Sequence, residues 1–214
     1  MTRRVVLWRH GRTAWNVAGR VQGQTDTPLD DVGRQQARDA AARLASLAPV
    51  RILSSDLERA RDTAAELSRA TGVEVELDPR LREMNFGARE GLTWQESWER
   101  YPEGMKAWLD GDETGIPDSE THAQAGARLA DALHDALTTL EDEQTLVLVA
   151  HGAVLRVGCA TFLGFPEQTW RSFAGLSNCS WIALEQQHPR YDTRWRLTEW
   201  NAGTLPEPVL SDDE

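Results

Sequence analysis

Short apolar runs alternate along the chain with longer segments in which apolar residues recur every three or four positions. Val5-Val6-Leu7-Trp8, Val50-Arg51-Ile52-Leu53 and Thr145-Leu146-Val147-Leu148-Val149-Ala150 read as buried strands, whereas Val73-Glu74-Val75-Glu76-Leu77 alternates as a half-exposed one. Between them the helical period takes over. One helix opens at Leu29-Asp30-Asp31-Val32-Gly33, repeats through Val32, Ala37, Ala40, Ala41, Leu44 and Leu47, and is ended by Pro49. A second runs from Leu57 to Ala70 and stops at Gly72. The third spans Ser119 to Leu140, capped by Asp118 or Ser119, with Ala125, Leu129, Ala132, Leu133, Ala136, Leu137 and Leu140 along its buried stripe. Val154 to Leu163 is a fourth, begun by Gly152-Ala153 and stopped by Gly164 and Pro166. Asn178 to Glu185 and Thr193 to Trp200 close the chain as two strands around a loop containing Pro189. Strand alternating with helix predicts an α/β fold: three layers, αβα, with a mostly parallel central sheet flanked by helices.

Residues 84 to 118 break this rhythm and predict a small helical lid inserted into the domain. From Ala88 to Glu120 three basic residues face nine acidic ones, and Trp94, Trp98, Tyr101 and Trp108 recur at helical spacing. Packing of these aromatics onto the body is the favoured reading over an aromatic wall for a sugar or another bulky leaving group. No repeat or low-complexity linker divides the rest, so residues 1–200 read as one domain and 201–214 as an acidic tail.

Composition narrows the partners. A chain of 214 residues, 40% hydrophobic, suits a single α/β domain with a sizeable core. A net charge of −11 argues against nucleic acid or an anionic membrane surface, and obliges any phosphorylated ligand to be drawn in by local arginines. No stretch approaches the roughly 20 apolar residues of a membrane span, and the N-terminal apolar run is too short for a signal peptide. The expected compartment is the cytoplasm, where Cys159 and Cys179 would be two buried thiols.

Two strands end in the same dipeptide. Arg9-His10-Gly11-Arg12-Thr13-Ala14-Trp15-Asn16 follows Val5–Trp8, and His151-Gly152 follows Thr145–Ala150. Ligands of parallel α/β sheets bind beyond the carboxyl ends of the strands, so the two imidazoles are expected to face each other there, with Gly11 letting the backbone pass close to what His10 touches. A third strand, ending at Leu53, opens into Ser54-Ser55-Asp56-Leu57-Glu58-Arg59 and brings another arginine to the same edge. The helix after His151 would point its N-terminus at this pocket and add positive dipole.

With these elements the chain resembles the histidine phosphatase superfamily, the phosphoglycerate mutase-like proteins. The matching residues are Arg9-His10-Gly11 with Thr13 and Asn16, Arg20-Val21-Gln22-Gly23, Ser54 to Thr63 with Arg59-Ala60, Leu81-Arg82-Glu83 with Phe86-Gly87 and Glu90-Gly91, and His151-Gly152. The resemblance covers nearly the whole chain, from residue 3 to about 200. It implies that His10 is phosphorylated during turnover, its second ring nitrogen held as N–H by an unnamed carbonyl or carboxylate. Arg9 and Arg59 would clamp the phosphoryl group, and Asn16, Gln22 and Gly23 would belong to its binding site. His151 would donate to a phosphoryl oxygen, and Glu83 would be the proton donor. Crowding by the phosphate dianion should keep Glu83 protonated. Glu90 is the alternative carboxylate, expected to be structural.

The implied activity is hydrolysis of a small phosphorylated metabolite, with no metal and no cofactor. Met84-Asn85-Phe86 and the acidic lid replace the extra basic residues of a phosphoglycerate mutase, which leaves the mutase as the alternative and a non-catalytic phosphoester-binding protein as the second. The closing stretch, Asn178 to Leu184 and Arg194 to Asn201, also looks like the glucosyl-3-phosphoglycerate phosphatase branch and suggests a phosphorylated sugar acid. His122, His134 and His188 read as surface residues. An exposed strand near Asn178 to Trp200 would leave an edge for a homodimer.

Overall fold

A computed structural model describes residues 2–188, 190, 191 and 194–203. In chain order it contains β1 (Arg4–Arg9), α1 (Ala14–Val17), α2 (Asp31–Leu44), β2 (Arg51–Ser54), α3 (Glu58–Thr71) and β3 (Val75–Leu77). The lid contributes α4 (Trp94–Arg100) and α5 (Pro102–Leu109), followed by α6 (His122–Leu137), β4 (Thr145–Ala150), α7 (Gly152–Phe162), β5 (Trp181–Gln186) and β6 (Trp195–Ala202). The six strands form one sheet in the order β3-β2-β4-β1-β5-β6. β3, β2, β4 and β1 are parallel neighbours, while β5 and β6 add an antiparallel edge.

Pleating of the central strands decides which helices cover which face. On β1, Val6 and Trp8 join Ala37, Ala41 and Leu44 of α2 and Ala60, Ala64 and Leu67 of α3 in one buried cluster. Val5 and Leu7 point the other way, with Leu129 and Leu133 of α6 and Val154, Leu155 and Val157 of α7. Every residue of β4 is buried, the signature of a strand covered on both faces. The αβα layering expected from the sequence follows from this alternation.

Several boundaries differ, each for a local reason. Helix α2 begins at Asp31, because the Asp30 carboxylate accepts from the Gly33 N–H. That cap sets Gly33, Ala37, Ala40, Ala41 and Leu44 as the buried stripe and turns Val32, 42% exposed, to solvent. Neither Asp118 nor Ser119 caps α6. Asp118 takes a left-handed φ of 62°, Ser119 donates to the carbonyls of Glu113 and Ile116, and Thr121 forms a capping box with Gln124. Strand β3 is shorter than its alternating pattern, and Asn178 lies in a turn ahead of β5. Strand β6 runs on through Ala202, two residues into the stretch expected as tail; Pro189, Thr193 and residues 204–214 lie outside the described residues.

The lid is tied at its base by a bridge between Phe86 and Ser119 and held to the body by a bridge between Arg20 and Thr93. Met105 and Ile116 are its buried apolar anchors. Its tryptophans pack largely on one another: Trp94 meets Trp98 and Trp108 edge to face at 6.3 and 6.1 Å. The buried Arg89 guanidinium lies over Phe86, Trp94 and Trp108 at 5.4–5.8 Å.

Candidate active site

The carboxyl ends of β1, β2 and β4 converge, and the two histidines meet as the repeated dipeptide implies. The rings of His10 and His151 lie 5.1 Å apart, tilted by 58°. Arg9, His10, Asn16, Gln22, Arg59, Glu83 and His151 are all buried, none more than 3% exposed. Seven polar side chains in one dry pocket are costly unless they hold each other or a ligand.

Ring tautomers follow from the partners. His10 Nδ1 lies 2.7 Å from the Gly11 carbonyl, which can only accept, so Nδ1 carries the proton and Nε2 keeps its lone pair. The partner that the sequence left unnamed is thus the next residue's own backbone. His151 is the mirror case. Its Nδ1 faces Arg59 Nε at 3.2 Å, a group that can only donate, which leaves the proton on Nε2, 2.9 Å from the Ser55 hydroxyl. Both imidazoles are held well below the usual histidine range. Burial is the main cause for each, reinforced for His10 by Arg59 and Arg9 and for His151 by Arg59. Both are therefore neutral at pH 7.

The arginines are fixed by carbonyls. Arg59 donates to Thr25 O at 2.8 Å and Gly23 O at 2.6 Å as well as to His151, and Arg9 donates to Leu176 O. Gly23 thus enters the site as an acceptor that anchors Arg59. The two strand-tip glycines serve close packing. A Cβ on Gly152 would come within 3.3 Å of Arg9 Nε, so its absence lets the guanidinium lie on the first turn of α7. A Cβ on Gly11 would sit 2.4 Å from the Gly33 carbonyl, so one close approach that Gly11 permits is that of α2.

Two amides stand ready as donors. Gln22 Oε1 accepts from the hydroxyls of Thr13 at 2.9 Å and Thr27 at 2.6 Å, which orients the amide. Asn16 Oδ1 accepts from Thr13 N at 3.1 Å and Asn178 Nδ2 at 3.2 Å. Gln22 Nε2 and Asn16 Nδ2 are left buried without a hydrogen-bond partner among the described residues. Each such donor costs about 1–3 kcal/mol, a cost that an anion's oxygens can offset.

Glu83 occupies a different setting from the one expected. Its carboxylate accepts from the N–H groups of Met84 at 2.9 Å, Ala153 at 3.1 Å and Val154 at 2.8 Å, and so caps the first turn of α7. Three N–H donors and a helix N-terminus suit the carboxylate form, and a phosphate dianion beside it works in the opposite direction. Arg128 holds the backbone here, donating to the carbonyls of Arg80, Arg82 and Glu83. Glu90 is structural, as expected: its two oxygens accept from Gln24 N, Thr25 N and Thr25 Oγ1 at 2.7–3.0 Å and shape the loop that carries Gln22 and Gly23.

Three positioning side chains were not assigned from sequence. Ser55 holds His151; Thr63 accepts from Gly11 N at 3.0 Å; Asn178 donates to His10 O at 3.2 Å and to Asn16. Ser55 and Thr63 fall inside the motif stretch, but nothing local separates them from their neighbours. The available signal for Asn178 was the polar run Ser177-Asn178-Cys179-Ser180 just before an apolar strand. Among the other histidines, His134 and His188 are exposed as expected, whereas His122 is not: its side chain is 13% exposed and its Nδ1 is paired with Glu113.

Comparison with known proteins agrees with this geometry. The chain is 38% identical over 214 residues to a glucosyl-3-phosphoglycerate phosphatase of Mycolicibacterium vanbaalenii, covering 94% of this chain and 95% of that one. It is also 38% identical over 203 residues to a probable phosphoglycerate mutase of Erwinia tasmaniensis, covering 92% and 89%. The solved structure of a mycobacterial glucosyl-3-phosphoglycerate phosphatase complexed with VO3 superposes with a TM-score of 0.85 at 37% identity, over 94% of this chain and all of that one. The family model of the histidine phosphatase superfamily, branch 1, matches residues 5–203, and the chain belongs to that family.

Proposed function

We propose that the protein hydrolyses a phosphorylated sugar acid of the glucosyl-3-phosphoglycerate type through a phosphohistidine on His10. The observation that carries this reading is His10, whose Nδ1–H donates to the Gly11 carbonyl and leaves Nε2 free to attack, facing a second histidine between buried arginines. Nε2 of His10 attacks phosphorus in line with the leaving oxygen. Charge spread over the phosphoryl oxygens is met by Arg9 and Arg59 and by the unpartnered amides of Asn16 and Gln22. For His151 to donate as well, its Nε2–H has to leave Ser55.

Glu83 handles the protons. The leaving alkoxide takes a proton from its carboxyl, and the attacking water later returns one as the P–N bond breaks and inorganic phosphate departs. The three N–H donors on Glu83 favour its carboxylate, so its proton is taken up from solvent as the substrate binds: a dianion entering beside Glu83 raises its proton affinity. The sugar-acid assignment is supported by the first relative's substrate together with the acidic lid, which repels a second phosphate. Metabolite hydrolysis and two buried thiols suit the cytoplasm.

A panel of monoesters, including glucosyl-3-phosphoglycerate and 3-phosphoglycerate, tests the proposal when run with and without 2,3-bisphosphoglycerate. Phosphate release with an acid-labile phosphoenzyme on His10 is expected. Efficient interconversion of 3- and 2-phosphoglycerate would establish the mutase instead, and binding of phosphate without turnover would establish the non-catalytic reading.

A further inference from the structure

A cavity of about 530 Å³ lies between the lid, the start of α6, the second turn of α7 and the 3₁₀ turn Glu167–Ser172. None of the seven buried polar residues around His10 lines it. Its volume falls within the roughly 300–1,000 Å³ of small-molecule sites. Trp108 and Trp170 supply apolar surface, the latter held by a 2.9 Å hydrogen bond from its indole N–H to Phe165 O. Polar groups come from Glu113, His122, Arg156 and Arg171.

The charges identify the kind of ligand. Arg156 and Arg171 are offset by Asp110, Glu113 and Glu167 on the same walls, and Arg171 already donates to the Trp108 and Leu109 carbonyls at 3.3 Å. A second phosphate would meet three carboxylates against two guanidinium groups. Aromatic surface edged by charged hydrogen-bonding groups of both signs suits a neutral polyhydroxylated ring, whose C–H face lies on indole and whose hydroxyls both donate and accept. One atom points to such a guest directly. His122 Nδ1 is paired with Glu113, and its Nε2 is buried with no partner among the described residues.

Position links the cavity to the phosphate site. Arg156 lies five residues along α7 from His151, about 7.5 Å of helix axis, and Glu83 caps the turn between them. That axial separation is of the order of the few bonds that join a phosphoryl group to a sugar ring in such an ester. We infer that this cavity is the subsite for the glycosyl ring of the substrate, bounded by Trp108 and Trp170 and hydrogen-bonded by His122, Arg156 and Glu113. The inference rests on the phosphatase reading and adds to it the place where selectivity for a glycosylated ester arises.

The test compares kcat/KM for glucosyl-3-phosphoglycerate with that for 3-phosphoglycerate, in the wild type and in Arg156→Ala and His122→Gln. The wild type is expected to prefer the glucosylated ester at least tenfold. Each variant should lose roughly tenfold on that ester, through KM, while 3-phosphoglycerate turnover and thermal midpoint stay unchanged. No preference in the wild type, or equal losses on both esters, would overturn the subsite. Calorimetry with the dephosphorylated product, glucosylglycerate, gives a second readout that needs no turnover: binding to the wild type, and at least tenfold weaker binding to either variant. Product that binds all three proteins alike places the ring elsewhere. Failure of the wild type to release phosphate from any ester would overturn the phosphatase reading alone, because the calorimetric arm still reports on the cavity.

Discussion

The phosphate pocket and the lid solve opposite problems. Around His10, side chains from three strand ends are fully buried and aimed at one point, each held by a backbone group or a neighbour, with two amide donors left unpaired. Around Trp108, half-buried aromatics and balanced charges surround a larger volume, and the main internal fixture is Arg89 among three rings. The first region is buried and directional, as charge stabilisation requires. The second is roomy and mixed, as recognition of a neutral group requires. The reacting groups sit at the strand ends of the sheet, whereas the larger cavity is shared between the lid and the body, its walls coming from Trp108 and Glu113 on one side and His122, Arg156 and Trp170 on the other.

The contrast is broken most severely at His10. His10→Ala is expected to lose on the order of 10⁶-fold in kcat, the scale seen when a nucleophile is removed, together with all acid-labile phosphoenzyme trapped by rapid quench. Glu83→Gln should cost about 10²- to 10⁴-fold with alkyl esters and much less with a good aryl leaving group. Equal losses across leaving groups would remove Glu83 as the acid. If the buried Gln22 Nε2 donor meets the phosphoryl group and not the leaving group, as proposed, Gln22→Leu lowers kcat/KM by about 10²-fold for every monoester alike. A loss confined to glucosylated esters would contradict that placement.

Acid sharpens the comparison through stability. His10 and His151 bind protons less readily folded than unfolded, so between their lowered folded values and the ordinary 6.5 the unfolded chain holds more protons. Stability is complete above about pH 6.5 and falls below it, by up to about 1.4 kcal/mol per pH unit for each histidine. Urea titrations at pH 7.5 and 5.5 should show the fall, and His151→Asn should make it shallower. Identical pH dependence in both proteins would mean that His151 is not buried neutral. The smallest effect belongs to the lid: Arg89→Met should cost about 1–2 kcal/mol, leaving kcat for a small aryl phosphate unchanged.

Legibility of the site in the sequence followed the same division. Both His-Gly dipeptides and Arg59 could be read because each follows a local pattern, an apolar run that ends and then a polar residue type with defined chemistry, whereas Glu83, six residues beyond β3, was legible only through the family resemblance. Ser55, Thr63 and Asn178 could not, since a serine, a threonine and an asparagine in a loop carry no mark until their partners are in place. The cap of α6 was misplaced for a related reason. Asp118 and Ser119 have the right chemistry for a cap, but their backbone is committed to closing the lid. His122, read as a surface residue, became half of a part-buried pair because the lid folds Glu113 over it.

What the sequence determined by itself was the layer order, the pair of histidines at two strand ends and the acidity of the lid, all of which reside in periodicity, strand ends and composition. Tertiary structure alone decided the protonation pattern and the second chamber. Arg59 and His151 are 92 residues apart, and Asn16 and Asn178 are 162 apart. A proton's place on a ring depends on which group ends up within about 3 Å of it, and the sheet's crossovers choose that group.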